Sequence, residues 1–232
     1  MPSSLSLAAS DHQANIIELL GKMFASSAPM LLLLGVVLIG IKLLKHPSVK
    51  RMIGEAAVNW AGLARLDKTR YKVLKNVFIP SLTGEGMTEI DHLVVSTHGI
   101  FVIETKNYSG WIFGGEHDHK WTRSGRGRKQ QFLNPLKQNK GHVNALAAFL
   151  GLPQSMFHSV VFFIGEAELK TPMPANVLTS GLLKYIESER RVLLNESQVD
   201  EAWKRLSGHD AGMNKTTVRR DHVARVSRRK GR

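Results

Sequence analysis

Residues 89–106 read Glu-Ile-Asp-His-Leu-Val-Val-Ser-Thr-His-Gly-Ile-Phe-Val-Ile-Glu-Thr-Lys. Two apolar runs flank a Thr-His-Gly turn, a pattern that predicts a β-hairpin. The first run carries Asp91, and the second carries Glu104 and Lys106. A charged side chain inside a strand is costly unless it is paired or binds a metal ion. We therefore expect a functional site on this hairpin.

The three charges of the hairpin are expected to form one cluster. Alternate side chains of a strand share a face, so Glu104 and Lys106 point the same way. Asp91 lies opposite Glu104 in a hairpin centred on the turn, or opposite Lys106 if the register is shifted by two. Two adjacent carboxylates repel unless a cation such as Mg²⁺ neutralises them. The alternative is a buried ion pair between Lys106 and one acid, which leaves the other acid over.

The overall charge of the chain points to acidic partners. The 232 residues include 32 lysines and arginines against 19 acids, a formal net charge of +13. Such an excess favours nucleic acid or acidic lipid as a partner, and a basic flank that sets membrane topology is the alternative. The chain has no cysteine, which excludes disulfides, thiolate zinc sites and thiol nucleophiles.

The N-terminal part of the chain predicts a membrane anchor. No charge occurs between Lys22 and Lys42, so we expect a transmembrane helix over residues 23–44 after an N-terminal extension over 1–22. A cleaved signal peptide is the alternative, but acidic residues precede the apolar run and lysines follow it directly. The excess of positive charge after the run predicts a single-pass protein of the cell (inner) membrane, with the N-terminus outside and residues 45–232 in the cytoplasm.

The rest of the chain predicts an α/β domain over residues 45–206. Helical and strand patterns follow one another in an order typical of a layered domain with a mixed sheet. The basic, glycine-rich residues 123–131 predict an exposed mobile loop, and the arginine-rich residues 207–232 predict a disordered tail. The predicted elements are a helix over 51–66, a strand over 71–79, the hairpin, short strands at 111–113 and 120–122, a helix over 134–150, a strand over 159–164, a short strand near 177, and helices over 180–189 and 196–206.

Several stretches of the chain carry a resemblance to a known family. They include Glu-Ile-Asp-His-Leu-Val-Val from residue 89, Gly-Ile-Phe-Val-Ile-Glu-Thr-Lys-Asn-Tyr-Ser-Gly from residue 99 and Asn-Pro-Leu-Lys-Gln-Asn from residue 134. The Asp-(x)12-Glu-x-Lys spacing resembles the PD-(D/E)XK nucleases, and residues 51–165 resemble more narrowly the NERD (nuclease-related) domain. The resemblance implies a three-layer, restriction-endonuclease-like α/β fold, a mixed central sheet flanked by helices, here preceded by one transmembrane helix.

The resemblance also implies roles for individual residues. Asp91 and Glu104 would bind Mg²⁺ or Mn²⁺, and Lys106 would be the catalytic lysine. Glu55, on the first helix, would help to hold the metal or water, and Gln138 would contact substrate or water. Each of these last two residues also has an ordinary interpretation. Glu55 fits the positive end of a helix, and Gln138 fits a solvent-facing helix surface.

The predicted function is the Mg²⁺-assisted hydrolysis of nucleic acid by a membrane-anchored nuclease-like protein, with DNA preferred over RNA as the substrate. Basic side chains beside the site would bind the phosphate backbone without reading sequence, although they are equally consistent with a solvated surface. The alternative function is that of a non-catalytic nucleic-acid-binding membrane tether, or of a scaffold with a vestigial nuclease fold. The basic candidates are Arg123, Arg126, Arg128, Lys129, Lys137 and Lys140.

Overall fold

The computed structural model of the protein describes most of the predicted domain. The described segments are residues 63–82, 86–125 and 127–230. The predicted extension, the transmembrane helix and the first helix with Glu55 therefore lie outside the described residues, as does Arg126. Across the three described segments, no helix is long and apolar enough to cross a membrane.

Nine strands and four α-helices follow one another along the described chain. The strands are β1 (Lys72–Pro80), β2 (Met87–Ser96), β3 (Gly99–Asn107), β4 (Gly110–Phe113), β5 (Lys120–Gly125), β6 (Arg128–Leu133), β7 (Phe157–Ile164), β8 (Ala167–Leu169) and β9 (Val177–Leu178). The helices are α1 (Pro135–Leu150), α2 (Leu182–Ser188), α3 (Glu196–Ala211) and α4 (Lys215–Lys230). Short 3-10 helices lie at Leu63–Arg65 and Gln154–Met156.

The larger sheet is mixed, as the sequence predicts, and its strand order is β1-β2-β3-β7-β9. Neighbours from β1 to β3 are antiparallel, and β7 and β9 continue the sheet in parallel. In the β2–β3 hairpin Ser96 pairs with Gly99 and His92 pairs with Ile103. This register confirms the predicted hairpin and excludes the shifted alternative, because it continues to Asp91 facing Glu104.

Helices cover both faces of the larger sheet, which produces three layers. Val102 of β3 lies in one apolar core together with Leu146 of α1 and Leu206 of α3. Its neighbour Ile103 points to the opposite face and lies in a second core with Ile186 of α2. The alternation follows from the period of two in a strand. Side chains on β3 thus line two cores, and the even-numbered ones face α1.

A second sheet of four strands corrects two expectations from the sequence. Its order is β6-β5-β4-β8, so the fold has two mixed sheets rather than one. Residues 123–131, predicted to form a mobile loop, lie largely in β5 and β6, where Arg123 pairs with Gln130. The prediction failed because β6 is exposed along most of its length, so it lacks the apolar alternation typical of a strand. Gly127, at the turn between β5 and β6, has a φ of 74°, in the left-handed region that favours glycine.

The C-terminal region also differs from the prediction, because a helix replaces most of the expected disordered tail. The preceding helix α3 continues to Ala211, and α4 then extends over Lys215–Lys230. Asn214 begins α4, since its side chain accepts a hydrogen bond from the Thr217 amide. Arginine, lysine and alanine all have high helix propensity, so a basic run of this composition favours a helix. The absence of an apolar stripe had suggested disorder instead.

Candidate active site

Asp91 is held at the point where the β2–β3 ladder ends. Its Oδ2 accepts two hydrogen bonds from Thr105, one from the backbone amide at 2.8 Å and one from the hydroxyl at 2.7 Å. The ordinary backbone pairing of the two strands stops one residue earlier, at His92 and Ile103. Among the described residues, none donates a hydrogen bond to the other oxygen, Oδ1. Within the described part of the chain, Thr105 therefore fixes one of the two carboxylate oxygens.

The neighbouring strand is also irregular beside Asp91. Asn76 of β1 has a φ of 50°, in the left-handed region that few residues other than glycine and asparagine adopt. It lies between the pairs Lys75–His92 and Val77–Ile90, opposite Asp91 in the β1–β2 register. Backbone in unusual conformations is concentrated at functional sites, where the surrounding structure holds it in place. The distortion at Asn76 therefore supports a functional interpretation of this part of the sheet.

Glu104 and Lys106 lie on the face of β3 that α1 covers. Glu104 is 3% exposed, and its Oε1 accepts a hydrogen bond from Lys106 Nζ. The same Nζ donates to Gln138 Oε1 of α1 at 3.0 Å. Gln138 is therefore half-buried against the cluster, so its interpretation as a solvent-facing helix residue is wrong. Lys106 is fixed between a carboxylate of the sheet and an amide of the helix.

His142 is a member of the cluster that the sequence analysis missed. It follows Gln138 by one helical turn, and its Nε2 lies 3.3 Å from Glu104 Oε2. Its Nδ1 lies 3.0 Å from the hydroxyl of Thr88 on β2, and the residue is 7% exposed. Residues four apart on a helix share a face. The spacing to Gln138 was therefore a signal that could have identified this histidine.

Two asparagines place α1 over the cluster. Asn134 accepts a hydrogen bond from the Leu136 amide as the N-cap, and its Nδ2 donates to carbonyls of the loop at residues 115–118. Asn139, fully buried, donates through Nδ2 to Val102 O of β3 and to Val160 O of β7. The cap fixes the start of the helix, and Asn139 fixes its rotation above the sheet. Gln138 and His142 consequently meet Glu104 and Lys106.

The two acids of the cluster have different electrostatic environments. Burial and, to a smaller extent, the nearby charge of Glu104 together raise the pKa of Asp91 to about 6. Burial also acts to raise the pKa of Glu104, but the contacts from His142 and Lys106 hold it below its ordinary value. Glu104 is thus a stabilised carboxylate at neutral pH. Asp91 lacks an equivalent cationic partner among the described residues, and a bound cation would supply one.

Comparison with known proteins agrees with this geometry. Residues 50–164 match the family model of the nuclease-related domain, NERD. They belong to the nuclease-related domain family. The NERD domain is a member of the broader PD-(D/E)XK superfamily. The two mixed sheets flanked by helices are compatible with a nuclease fold.

One relative is similar to this chain over part of its length. An uncharacterized protein of Bacillus anthracis is 43% identical over 103 residues, which are 44% of this chain and 48% of that protein. The chain therefore spans about half the length of this relative. No solved structure matches the chain significantly.

The basic candidates of the NERD domain occupy different environments. Arg123 is half-buried, with its guanidinium 5.2 Å from the centre of the Tyr108 ring. Lys137 is exposed, but its Nζ donates to the His117 carbonyl at 2.8 Å. The remaining described candidates are exposed and able to meet a phosphate backbone, namely Arg128, Lys129 and Lys140. Strands β5 and β6 form a basic hairpin over residues 120–133. Strand β6 continues through Asn134 directly into α1, so the basic hairpin is connected to the helix that carries Gln138.

The donor set of the site fits a divalent cation with oxygen ligands. Within residues 63–82, 86–125 and 127–230, no group of three or more histidine, aspartate, glutamate or cysteine side chains is arranged to hold a metal. The described acids of the site are the pair Asp91 and Glu104. Mg²⁺ typically takes one or two carboxylates and completes its shell with water and substrate phosphate. Burial and the charge of Glu104 raise the pKa of Asp91, so a bound cation would stabilise the anionic form of this acid.

Proposed function

We propose that this chain is a membrane-anchored, metal-dependent nuclease that hydrolyses phosphodiester bonds of DNA. The observation that carries the proposal is the position of Lys106, which Glu104 and Gln138 hold within a NERD domain that also contains Asp91. A lysine fixed by two acceptors at an acidic cluster is suited to stabilise negative charge that develops on a phosphate. The NERD domain itself suggests a nuclease-related function.

Each residue of the cluster has a defined part in the proposed reaction. Asp91, through Oδ1, and Glu104 would bind the metal, with Glu55 as a further acid. The ion, Mg²⁺ or Mn²⁺, supplies Lewis-acid activation of the phosphate and of a water molecule. Lys106 orients the water and stabilises the developing charge, and Gln138 holds the lysine ammonium in place. The protein therefore contributes positioning and electrostatics to the reaction.

A nuclease assay tests this function directly. The full chain is incubated with supercoiled plasmid and with linear duplex DNA, in Mg²⁺ and in EDTA. We expect metal-dependent cleavage by the wild type and a loss of at least about 100-fold for Lys106→Ala, because the lysine stabilises charge only in the transition state. Lys184→Ala, which removes an exposed lysine of α2, is the matched control and retains activity. Equal cleavage by Lys106→Ala and wild type contradicts the proposal.

A second candidate function is binding without cleavage. Both oxygens of Glu104 already lie next to a basic group, Lys106 at Oε1 and His142 at Oε2, so this acid is paired within the described residues without a metal. A membrane tether that only binds nucleic acid would retain such a cluster. Metal binding separates the two functions, because Mn²⁺ raises the melting temperature of a nuclease and Asp91→Ala abolishes that rise. Unchanged melting in both proteins favours the tether.

The membrane anchor is a part of the proposal that the N-terminal sequence supports. The uncharged run between Lys22 and Lys42 is long enough for a single span, and basic residues follow it. We infer an inner-membrane location with the N-terminus outside and the NERD domain in the cytoplasm. A reporter enzyme fused after Arg232 tests the orientation. Reporter activity on the cytoplasmic side is expected, and activity on the outer side contradicts it.

A further inference from the structure

Helix α4 is the most strongly charged element of the described chain. Its sixteen residues contain seven lysines and arginines and one acid, Asp221, a net charge of +6 out of +13 for the whole chain. The helix lies outside the segment that matches the NERD family, which ends at residue 164. The function proposed above therefore assigns it no role. A helix of this length extends about 24 Å at 1.5 Å per residue.

The first turns of α4 are attached to the protein beside the candidate active site. Arg219 Nη2 lies 2.5 Å from Oε1 of Glu89, and Glu89 precedes Asp91 by two residues on β2. Lys215 Nζ lies 2.7 Å from Asp210 Oδ1 at the end of α3. Both ion pairs lie in the first five residues of the helix. The remaining basic residues follow along a helix whose first turns lie beside Glu89, two residues before Asp91 on β2.

We propose that α4 binds the phosphate backbone of duplex DNA that occupies the candidate active site. The inference rests on the proposed function and adds a substrate-binding element to it. Lysine and arginine side chains neutralise phosphates and release their counterions, so such a helix adds affinity without sequence preference. Its attachment through Glu89 places it on the strand that carries Asp91. A duplex at the acidic cluster therefore lies within reach of a basic helix.

The composition of α4 favours nucleic acid over a lipid surface. Helices that lie in a membrane interface need a broad apolar face, usually with leucine or aromatic residues. The apolar residues of α4 are three valines and one alanine, and it contains neither leucine nor an aromatic residue. Such a small apolar surface contributes little to burial in acyl chains. Its charge, by contrast, matches the dense negative charge of a duplex.

Binding measurements in EDTA test the inference without cleavage. The full chain, in neutral detergent, is titrated into a fluorescent duplex over a series of salt concentrations. The test variant removes three charges from the distal part of α4, with the substitutions Arg225→Gln, Arg228→Gln and Arg229→Gln. We expect at least about tenfold weaker binding and a salt-dependence slope that is smaller by about 2 to 3, since each phosphate contact contributes about 0.9.

A charge-matched control shows whether the position of the charges matters. It removes three exposed basic residues on or next to α2, which covers the other face of the larger sheet, with the substitutions Lys184→Gln, Arg190→Gln and Arg191→Gln. This control is expected to change the slope by less than about 1, because its charges lie away from the cluster. Circular dichroism and melting verify that both variants are folded. Equal losses in the two variants, or no loss in the α4 variant, overturn the inference.

A further arm separates this inference from its rivals. Binding to mixed micelles of a neutral detergent and the anionic lipid phosphatidylserine is measured for the same proteins. If the α4 variant loses only this binding and retains its affinity for duplex DNA, α4 serves the membrane and the inference fails. If the wild type itself does not bind the duplex, the proposed function fails as well.

Discussion

At the scale of single residues, the site contains one acid that its surroundings stabilise as an anion and one that they do not. Glu104 is held by Lys106 and His142, whereas Asp91 is buried and its described hydrogen bonds come from the uncharged Thr105. Burial and the charge of Glu104 raise the pKa of Asp91 from 3.8 to about 6. A buried carboxylate with such a raised pKa destabilises the metal-free fold at neutral pH, and such groups are concentrated at functional sites.

Asp91→Asn is predicted to stabilise the metal-free protein at neutral pH. The folded state binds a proton at Asp91 more tightly than the unfolded state does, so stability falls as the pH rises from about 4 to about 6. Asparagine carries no charge and can still accept the hydrogen bonds from Thr105. We expect a gain of about 1–3 kcal/mol above pH 6 and little gain near pH 4, measured by urea unfolding in EDTA. A gain that is equal at both pH values contradicts this account.

His142→Ala is predicted to weaken metal binding, although His142 acts through Glu104 and is not itself a proposed metal ligand. His142 lies beside Glu104 Oε2, and Thr88 contacts its other ring nitrogen, so the pair restrains the carboxylate. Loss of such a supporting group typically costs about 10–100-fold in metal affinity. The measurement is the Mn²⁺ concentration that produces half of the rise in melting temperature. His117→Ala, at an exposed loop position, is the control. An unchanged midpoint in His142→Ala contradicts the positioning role.

At the scale of elements, α1 brings the sheet and the basic hairpin together. Its N-cap Asn134 also binds three carbonyls of the preceding loop, and Asn139 binds carbonyls of β3 and β7. The helix therefore has a fixed start and a fixed rotation. Gln138 and His142 owe their positions to these two polar neighbours as much as to apolar packing.

Asn134→Ala is predicted to destabilise the fold and to loosen the site. The substitution removes the cap and leaves three carbonyls of the loop without their shared donor. We expect a loss of about 1–3 kcal/mol in the free energy of unfolding. Lys140→Ala, an exposed substitution on the same helix, should change it by less than about 0.5 kcal/mol. Urea unfolding of the two variants provides the comparison, and equal values would show that the cap contributes nothing.

The elements that could be predicted from the sequence are those with a strong apolar pattern. The β2–β3 hairpin followed from the turn, although two registers remained open until the structure decided between them, and α1 followed from Asn134 and Pro135 at its start. The pair β5–β6 was missed because pairing within a second sheet, rather than burial, holds an exposed strand such as β6. His142 was missed although it follows Gln138 by four positions, because its partners Thr88 and Glu104 lie on β2 and β3 and are distant in the sequence. The position of α4 beside β2 involves an ion pair between Arg219 and Glu89, which are 130 residues apart in the sequence.

At the scale of the whole molecule, the family segment and the rest of the chain make different contributions. Residues 50–164 contain both described acids of the site, Asp91 and Glu104, and end at Ile164, the last residue of β7. Strands β8 and β9 extend the two sheets, and α2 and α3 cover the larger one. Among the side chains that the structure describes, Lys215 and Arg219 attach helix α4 through ion pairs. Catalytic residues and covering elements are thus separated along the chain.

Removal of residues 213–232 is predicted to leave the fold intact. The described contacts that are lost include two ion pairs near the surface, and such pairs contribute about 0–1 kcal/mol each. We expect the melting temperature to fall by no more than a few degrees. Removal from residue 196 onward also deletes α3, whose Val199, Ala202 and Leu206 are buried, and should abolish cooperative melting. A comparable loss in both truncations would assign α4 a structural role.

The covering of the larger sheet on both sides determines which pieces of this protein can exist alone. A fragment that ends at residue 164 lacks Leu182 and Ile186, so Phe101, Ile103 and Val160 become exposed to water. The same cut frees the outer edge of β7, which β9 normally pairs. An uncovered apolar face beside an open strand edge promotes self-association. The segment that matches the family is therefore not expected to be soluble as an isolated fragment. Recombinant fragments should extend at least through α3.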